Sequence, residues 1–530
     1  MQLSSNVQIA CGGVGDKPLG VLISDPGQSS SSPEMIRAFR TPHFPAMSRS
    51  TLSSFVLNVI GNVTPILVAV VALPVITHFA GTERLGFLGL AWTLIGYLGL
   101  LDLGLSRVVM RRVAQAGTAE QLAVERDTVW RIGLVLCGFS AAVVAVIAAV
   151  APLHWFTGRS IAPSLVQEAS TALLIVLATL PFSIVTGVLR GVLDGRQWFG
   201  ISNALKVVFG SLTYLAPMLV AIWVPTLPAL VGAIAVARIL ALAAHVAMAA
   251  RALPAMAGVG RGVVRFGELF SEGGWLTVTG VVSPLMVSFD RFAVASLVSL
   301  SAAAYYIVPQ DMVLRLLVLP VALAGTVFPM MARAHGAGDS GRHHDLGRHS
   351  FYAALALSLP MCIALAVLAQ PLLRIWMGAD FARESANVAA VFAIGLLTNC
   401  VAQVPYASIQ AAGRADLTGK LHLAEFPLYM AVMFAMTLHW GLLGAAAAWT
   451  LRTTADCFAL LWIAHRGGFM RDTRREASVL ALAVTQTVLA ALLPAFASGA
   501  LRVLLGGVLV VLAMAAMWRW GRASVLWSVR

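Results

Sequence analysis

The segment that decides the fold class spans residues 52–79, which read LSSFVLNVIGNVTPILVAVVALPVITHF. It contains no aspartate, glutamate, lysine or arginine. Coiled as an α-helix, such a segment is about 42 Å long, whereas the hydrocarbon core of a bilayer is about 30 Å thick. The segment therefore predicts a helix that crosses a membrane.

Apolar segments of similar character follow one another along the rest of the chain. They predict an all-α polytopic membrane protein with about fourteen transmembrane helices. The predicted spans are 52–79, 85–103, 130–151, 169–190, 203–223, 227–250, 273–298, 304–330, 350–372, 385–410, 418–438, 442–465, 478–497 and 501–520.

The composition of the 530 residues excludes most soluble classes. Hydrophobic residues make up 59 % and charged residues 11 %, against about 45–50 % and about 25 % in soluble globular proteins. Mean hydropathy is +0.86. A chain this apolar cannot cover a water-facing surface, so a soluble enzyme, a disulfide scaffold and a disordered regulator are excluded.

The formal net charge of +13 fits a membrane protein, because arginine and lysine collect in cytoplasmic loops. We therefore expect no nucleic-acid partner. If the N-terminus is cytoplasmic, arginine and lysine are frequent in each cytoplasmic loop and rare in the outer loops. This alternation predicts that both termini are cytoplasmic. Every predicted outer connection is short. The outer cations are Arg84, Arg159, Arg374, Arg383 and Arg502.

A long-range repeat divides the chain. GNVTPILV at 61–68 matches GVVSPLMV at 280–287, an offset of 219, and Gly195-Arg196 matches Gly413-Arg414 at an offset of 218. Repeats of this size are typical of transporters that enclose a site near the bilayer midplane. We predict two pseudo-symmetric six-helix lobes, 48–265 and 266–470, followed by a helix pair with a short cytoplasmic tail, 471–530. Residues 1–47 are predicted to be a disordered extension, and Met47 offers an alternative translation start.

Charged side chains at membrane depth are costly and mark functional sites. Four arginines lie about 15–16 Å from the outer ends of their predicted helices. They are Arg238, Arg291, Arg315 and Arg452, with Asp290 beside Arg291 and Asp311 one turn before Arg315. We place all six residues on a substrate path.

Two interpretations of these charges remain open. In the first, they neutralise each other, since Asp311 and Arg315, like Arg452 and Asp456, are spaced i, i+4 on a helix. In the second, they line a hydrated cavity that receives an anionic headgroup, because the arginine fork suits phosphate oxygens.

Further polar residues extend these candidates. Asn58 and Asn62 form a stripe on the first helix, and Ser283 belongs to a similar stripe on the seventh. These three are predicted to line the substrate path. Asp102, Glu425 and Asp456 are candidates for ion or proton coupling. The sequence contains no CxxC, HExxH or complete nucleotide-binding loop, so we expect no metal and no cofactor.

Several motifs resemble one family. They are HFAGTERLG at 78–86, LDLGLS at 101–106, RRVA at 111–114 and SFDRF at 288–292. Together with the proline-containing first helix, they resemble the flippases of O-antigen and exopolysaccharide within the multidrug/oligosaccharidyl-lipid/polysaccharide (MOP) exporter superfamily. The resemblance covers about residues 50–520.

The resemblance implies a bacterial inner-membrane protein that is not an enzyme. It would move polyprenyl-diphosphate-linked oligosaccharide from the cytoplasmic to the periplasmic leaflet by alternating access, driven by an ion gradient or the membrane potential. Its partners would be that substrate, membrane lipids and other membrane proteins of polysaccharide assembly. The last helix pair would hold a lipid tail.

Two alternatives remain. A multidrug or organic-cation antiporter of the same superfamily would need acidic, aromatic walls, which the midplane arginines oppose. A membrane glycan polymerase would need a large outer loop, which the short outer connections oppose.

Overall fold

The computed structural model describes residues 49–98, 105–150, 163–255, 288–471, 473–497 and 499–522. Regular structure in these ranges is entirely helical. The first half contains α1 (Arg49–Ala80), α2 (Thr82–Leu98), α3 (Leu105–Gln115), α4 (Ala119–Val150), α5 (Pro163–Gly195), α6 (Phe199–Trp223) and α7 (Leu227–Ala252).

The second half begins with a described helical segment at 288–297. It continues with α8 (Leu300–Arg315), α9 (Val318–Gly336), α10 (Ser340–Met377), α11 (Ala379–Ala411) and α12 (Ala415–Arg466), and then α13 (Thr473–Phe496) and α14 (Gly499–Arg522). Within the described ranges, ten helices are long and apolar enough to cross a membrane. The prediction of an all-α polytopic membrane protein is confirmed.

Helix α12 contains a reversal of the chain at Gly441. This residue has φ 55° and ψ −131°, a conformation that costs a residue without a Cβ little. The two arms then run side by side, since Tyr429 on one arm lies 5.3 Å from the guanidinium carbon of Arg452 on the other. The arms match the predicted spans 418–438 and 442–465.

The predicted span 304–330 is broken in the structure. Helix α8 ends at Arg315, and Leu316 and Leu317 make tighter bonds to residues three positions earlier. The cause is Pro320, which has no N–H to donate to the carbonyl of Leu316 and whose ring crowds that carbonyl. The break leaves Arg315 at the end of α8.

Helix α3 is a short amphipathic helix that the span prediction did not include. Leu105, Val108, Val109 and Val113 are buried, whereas Arg111 is exposed. Their spacing is that of one helical face. The apolar face packs closely on two glycines of α5, because a Cβ at Gly191 would collide with the Ser106 carbonyl oxygen, and one at Gly195 with that of Met110.

The two halves meet along a seam formed by α2 and α8. The Thr82 hydroxyl donates to the Ser301 hydroxyl at 3.3 Å, and these residues are separated by the same 219 positions as the sequence repeat. A Cβ at Gly86 would collide with the Leu300 carbonyl oxygen. The seam therefore joins equivalent positions of the repeat, so closely that only glycine fits at residue 86.

The predicted topology is tested by reporter fusions. Because arginine-rich loops alternate along the chain, fusions after Ser160 and Arg383 should report periplasm. Fusions after Thr118, Gly260 and Arg474 should report cytoplasm. A cytoplasmic signal after Ser160 would overturn the helix count of the first half.

Candidate functional site

A buried polar network lies where the segment 288–297 packs against α8. Asp290 is fully buried. One carboxylate oxygen accepts from the Tyr306 hydroxyl at 2.6 Å and from the Gln310 amide at 2.7 Å. The other accepts from the backbone N–H of Arg291 at 2.9 Å. Asp290 thus holds α8 at a defined position.

Arg291 connects this network to the first half of the chain. Its side chain is 9 % exposed. Nε donates to Gln310 Oε1 at 2.7 Å, Nη1 to the Thr93 hydroxyl of α2 at 3.1 Å, and Nη2 to Asp311 Oδ1 at 2.5 Å. The guanidinium therefore joins three side chains from both halves of the chain.

A cavity of about 350 Å³ lies between the two halves, next to this network. We call it the central cavity. Helices α1, α2 and α6 form one wall, and α8 and α10 the other. Its charged lining residues are Asp311 and Arg315, and its larger aromatic ones are Trp92, Tyr214 and Trp376. The remaining lining is apolar.

Arg315 and Asp311 both face the central cavity, but they do not pair. Asp311 bonds to Arg291, and Arg315 has no ion-pair partner among the described residues. The interpretation that Asp311 neutralises Arg315 is therefore wrong in this conformation. Asp311 pairs with a residue 20 positions away and not with the one a helical turn away, so Arg315 makes no direct ion pair among the described residues.

A second, smaller cavity of about 100 Å³ lies between the arms of α12. Glu425, Tyr429 and Arg452 line it, and we call it the hairpin cavity. Within the described part of the chain, Glu425 Oε2, the Tyr429 hydroxyl and Arg452 Nε are buried without a hydrogen-bond partner. Each such atom costs about 1–3 kcal/mol when it stays unpaired, so the three polar groups of the hairpin cavity are energetically costly in this arrangement.

The predicted pair of Arg452 with Asp456 is also not formed. Asp456 Oδ1 lies 3.5 Å from His422 Nε2 on the opposite arm, and Arg452 lies over the Tyr429 ring. The reversal at Gly441 explains both contacts, because it brings each residue opposite one on the other arm. One of the three coupling candidates, Glu425, therefore lines the hairpin cavity, and Ala455, the neighbour of Asp456, lines it as well.

The remaining candidates lie elsewhere. Arg238 is on α7, where its Nε is buried without a hydrogen-bond partner among the described residues, and it lines neither cavity. Asn58 and Asn62 belong to α1, but their side chains lie outside the description, and Ser283 and Asp102 lie outside the described residues. The four midplane arginines therefore do not surround a single cavity.

Sequence reasoning missed the uncharged members of the network. Thr93, Gln310 and Tyr306 supply the hydrogen bonds that keep Asp290 and Arg291 buried. One available indication was that Tyr306 and Gln310 are four positions apart, so that they share a helix face. Thr93 carries no comparable indication, since it lies 198 positions from Arg291.

The sequence matches the model of a family described as polysaccharide biosynthesis protein over residues 51–335, more than half of the chain. A Shigella flexneri protein named provisionally as an O-antigen transporter is 29 % identical over 417 residues. The alignment covers 79 % of this chain and 98 % of that protein.

Solved transporter structures share the fold. A structure titled as the lipid II flippase MurJ in an inward closed conformation aligns with a TM-score of 0.68 and 12 % identity, covering 88 % of this chain and 99 % of that one. An inward-facing multidrug resistance transporter of the MATE family, within the MOP superfamily, aligns with a TM-score of 0.60 and 12 % identity, covering 80 % and 99 %. The chain therefore has the fold that these two transporter structures share.

Proposed function

The chain belongs to the family of polysaccharide biosynthesis proteins, and on that premise we propose that it is a flippase for lipid-linked oligosaccharide. Its substrate is a polyprenyl-diphosphate-linked repeat unit of O-antigen or exopolysaccharide, moved from the cytoplasmic to the periplasmic leaflet of the bacterial inner membrane. The name of the Shigella flexneri relative supports this substrate class. Both termini are cytoplasmic, and the protein acts as a transporter without catalysing a reaction.

The observation that carries this proposal is Arg315, which lines a cavity between the two halves and makes no direct ion pair among the described residues. A half-buried guanidinium without a direct partner keeps hydrogen-bond donors free, and an anionic substrate accepts from them. Guanidinium bonds phosphate oxygens in a bidentate manner. Diphosphate is the anionic part common to such lipid-linked substrates, so Arg315 is the proposed diphosphate ligand.

The seam between α2 and α8 supports a transport cycle in which the halves separate. It closes the end of the cavity that the predicted topology places at the periplasm, and Arg291 reinforces it through Thr93. A second contact across the halves is the Trp376 indole N–H, which donates to the Val70 carbonyl at 2.6 Å. Release of substrate to the periplasm requires these contacts to break. Arg291 is thus assigned to the closure of the halves and only Arg315 to the substrate.

Coupling to an ion gradient is assigned to the hairpin cavity. Tyr429 packs with Ala293 and Phe289 of the segment that carries Asp290 and Arg291, so a change in the hairpin cavity reaches the network at the seam. Glu425 lines that cavity together with Tyr429 of the same arm and Arg452 of the other arm, and the contact between Asp456 and His422 also joins the two arms. A carboxylate among such neighbours can alternate between proton binding and pairing with Arg452.

Replacing Glu425 by glutamine should slow transport and remove its response to an imposed pH gradient, because glutamine cannot bind and release a proton. The assay is transport of lipid-linked oligosaccharide in proteoliposomes at several pH gradients. The matched control is Glu384→Gln, which neutralises an exposed glutamate of α11. An equal response to the gradient in Glu425→Gln and in the unmodified protein would remove Glu425 from the coupling mechanism.

Genetic complementation tests the proposal as a whole. A strain that lacks this protein should accumulate its lipid-linked glycan on the cytoplasmic side and lose the corresponding surface polysaccharide. Expression of the chain should restore the polysaccharide. Loss of drug resistance without any change in surface glycan would instead identify an organic-cation antiporter.

A further inference from the structure

A third cavity lies far along α12 from the hairpin turn, where α12 ends and α13 begins. It has a volume of about 500 Å³. Its apolar lining includes Leu461 and Trp462. Its polar lining consists of His465, Arg466, Thr473 and Arg474. We call it the arginine pocket. None of its lining residues lines the central cavity.

The first part of the connection between the two helices is anchored in the second half of the chain. Phe469 and Met470 are buried in the second half. The Phe469 carbonyl accepts from His344 Nδ1 at 3.0 Å and from the Ser408 hydroxyl at 3.3 Å. Gly468 has φ +68°, which a residue with a side chain adopts at a cost. These contacts fix the position of residues 468–470, between the helix end that carries Arg466 and the helix start that carries Arg474.

The side chains of the pocket combine an apolar and a cationic part. The Arg466 guanidinium lies over the Trp462 ring at 5.1 Å, and the Trp462 side chain is 58 % exposed. Tryptophan with this exposure at the end of a membrane helix is typical of the bilayer interface. Glu476, the acidic residue of the first turn of α13, is buried and is not part of the lining.

We propose that the arginine pocket binds the headgroup of an anionic phospholipid of the cytoplasmic leaflet. Basic pockets between transmembrane helices on the cytoplasmic side are suited to such headgroups. In this proposal the phosphate lies between Arg466 and Arg474. The parts of the acyl chains next to the headgroup lie against Leu461 and Trp462. This inference depends on the predicted cytoplasmic position of residues 466–474 and not on the proposed transport function.

The lipid diphosphate of the transport substrate carries similar charge, but the position of the pocket favours a phospholipid. The pocket lies at the junction of α12 with the terminal helix pair, whereas the central cavity lies between the halves. A lipid bound here would tie the terminal pair to the second half. Its expected effect is therefore on stability.

The test is native mass spectrometry of the purified full chain with dioleoyl-phosphatidylglycerol, with dioleoyl-phosphatidylcholine and with undecaprenyl diphosphate. The pocket is tested with one double variant, Arg466→Gln with Arg474→Gln, which we call the variant pair. The matched control is Arg471→Gln with Arg475→Gln, which removes the same charge from exposed arginines of the same region that do not line the pocket.

We expect one tightly held phosphatidylglycerol per chain, and little retention of phosphatidylcholine. The variant pair should bind phosphatidylglycerol about 25-fold more weakly, since each interfacial arginine contributes a factor of about five. The control pair should change the affinity for phosphatidylglycerol less than about twofold, because the two arginines that it removes lie outside the pocket. Thermal unfolding with phosphatidylglycerol should shift upward for the control and not for the variant.

Three results would overturn the inference. An equal loss of binding in the variant and control pairs would show an unspecific charge effect. Equal retention of phosphatidylcholine would show that charge plays no part. A preference for undecaprenyl diphosphate that the variant pair alone abolishes would assign the pocket to the transport substrate.

Discussion

Replacement of Arg315 by alanine should abolish export of the surface glycan while the protein remains in the membrane at normal abundance. The alanine variant leaves the diphosphate without its counter-charge in an apolar cavity. A charge-assisted hydrogen bond contributes about 1.5–3 kcal/mol, and two such bonds from one guanidinium correspond to a loss of about 100-fold or more. Surface polysaccharide, measured with a lectin or antiserum, and immunoblots of membranes give the two readouts.

Two further variants separate charge from geometry. Arg315→Lys should restore export only in part, because lysine lacks the planar fork. Arg333→Ala removes an exposed arginine of α9 outside the central cavity and should leave export unchanged. The combination Asp311→Asn with Arg315→Gln should remain inactive. An active double variant would restore the view that the two residues merely neutralise each other.

Cross-linking of the seam should arrest transport reversibly. The Thr82 and Ser301 hydroxyl oxygens are 3.3 Å apart, so sulfur atoms in their places need to approach by only about 1 Å to reach the length of a disulfide bond. In a chain without its native cysteines, Thr82→Cys with Ser301→Cys should oxidise readily. Export should fall to background on oxidation and recover on reduction, because the two halves can no longer separate.

The chain offers a matched control for this cross-link. Thr398 of α11 and Thr453 of α12 lie 3.4 Å apart by their hydroxyl oxygens, and both belong to the second half. Cysteines at these positions should form a disulfide that leaves export intact, since helices within one half need not separate. Continued export with a fully oxidised 82–301 cross-link would rule out opening at the seam.

The membrane-spanning character was predictable because its cause is local: apolar length determines which segments cross a bilayer. The sequence repeat has one counterpart in a contact, since Thr82 and Ser301 lie 219 positions apart. The broken span was also visible in principle, since Pro320 cannot continue a helix from the preceding turn. The boundaries of the two lobes remain a prediction.

The pairing of the charges was not predictable in the same way. The spacing on one helix predicted Asp311 as the ion-pair partner of Arg315, yet Asp311 pairs with Arg291. A buried charge is stable only where its remaining hydrogen-bonding groups are also satisfied, and Arg291 finds those groups in Thr93 and Gln310 as well. Such partners depend on the packing of several helices, which no single helix pattern contains.

Reconstitution in liposomes tests directly whether this chain moves lipid-linked oligosaccharide between the two leaflets. Purified protein is placed in liposomes together with a fluorescent polyprenyl-diphosphate-linked oligosaccharide, and an added glycosidase or quencher reports how much glycan is reached from outside. We expect transfer between leaflets with the unmodified chain and none with Arg315→Ala. An absence of glycan transfer by the unmodified chain, combined with gradient-driven uptake of an organic cation, would contradict the proposed flippase function.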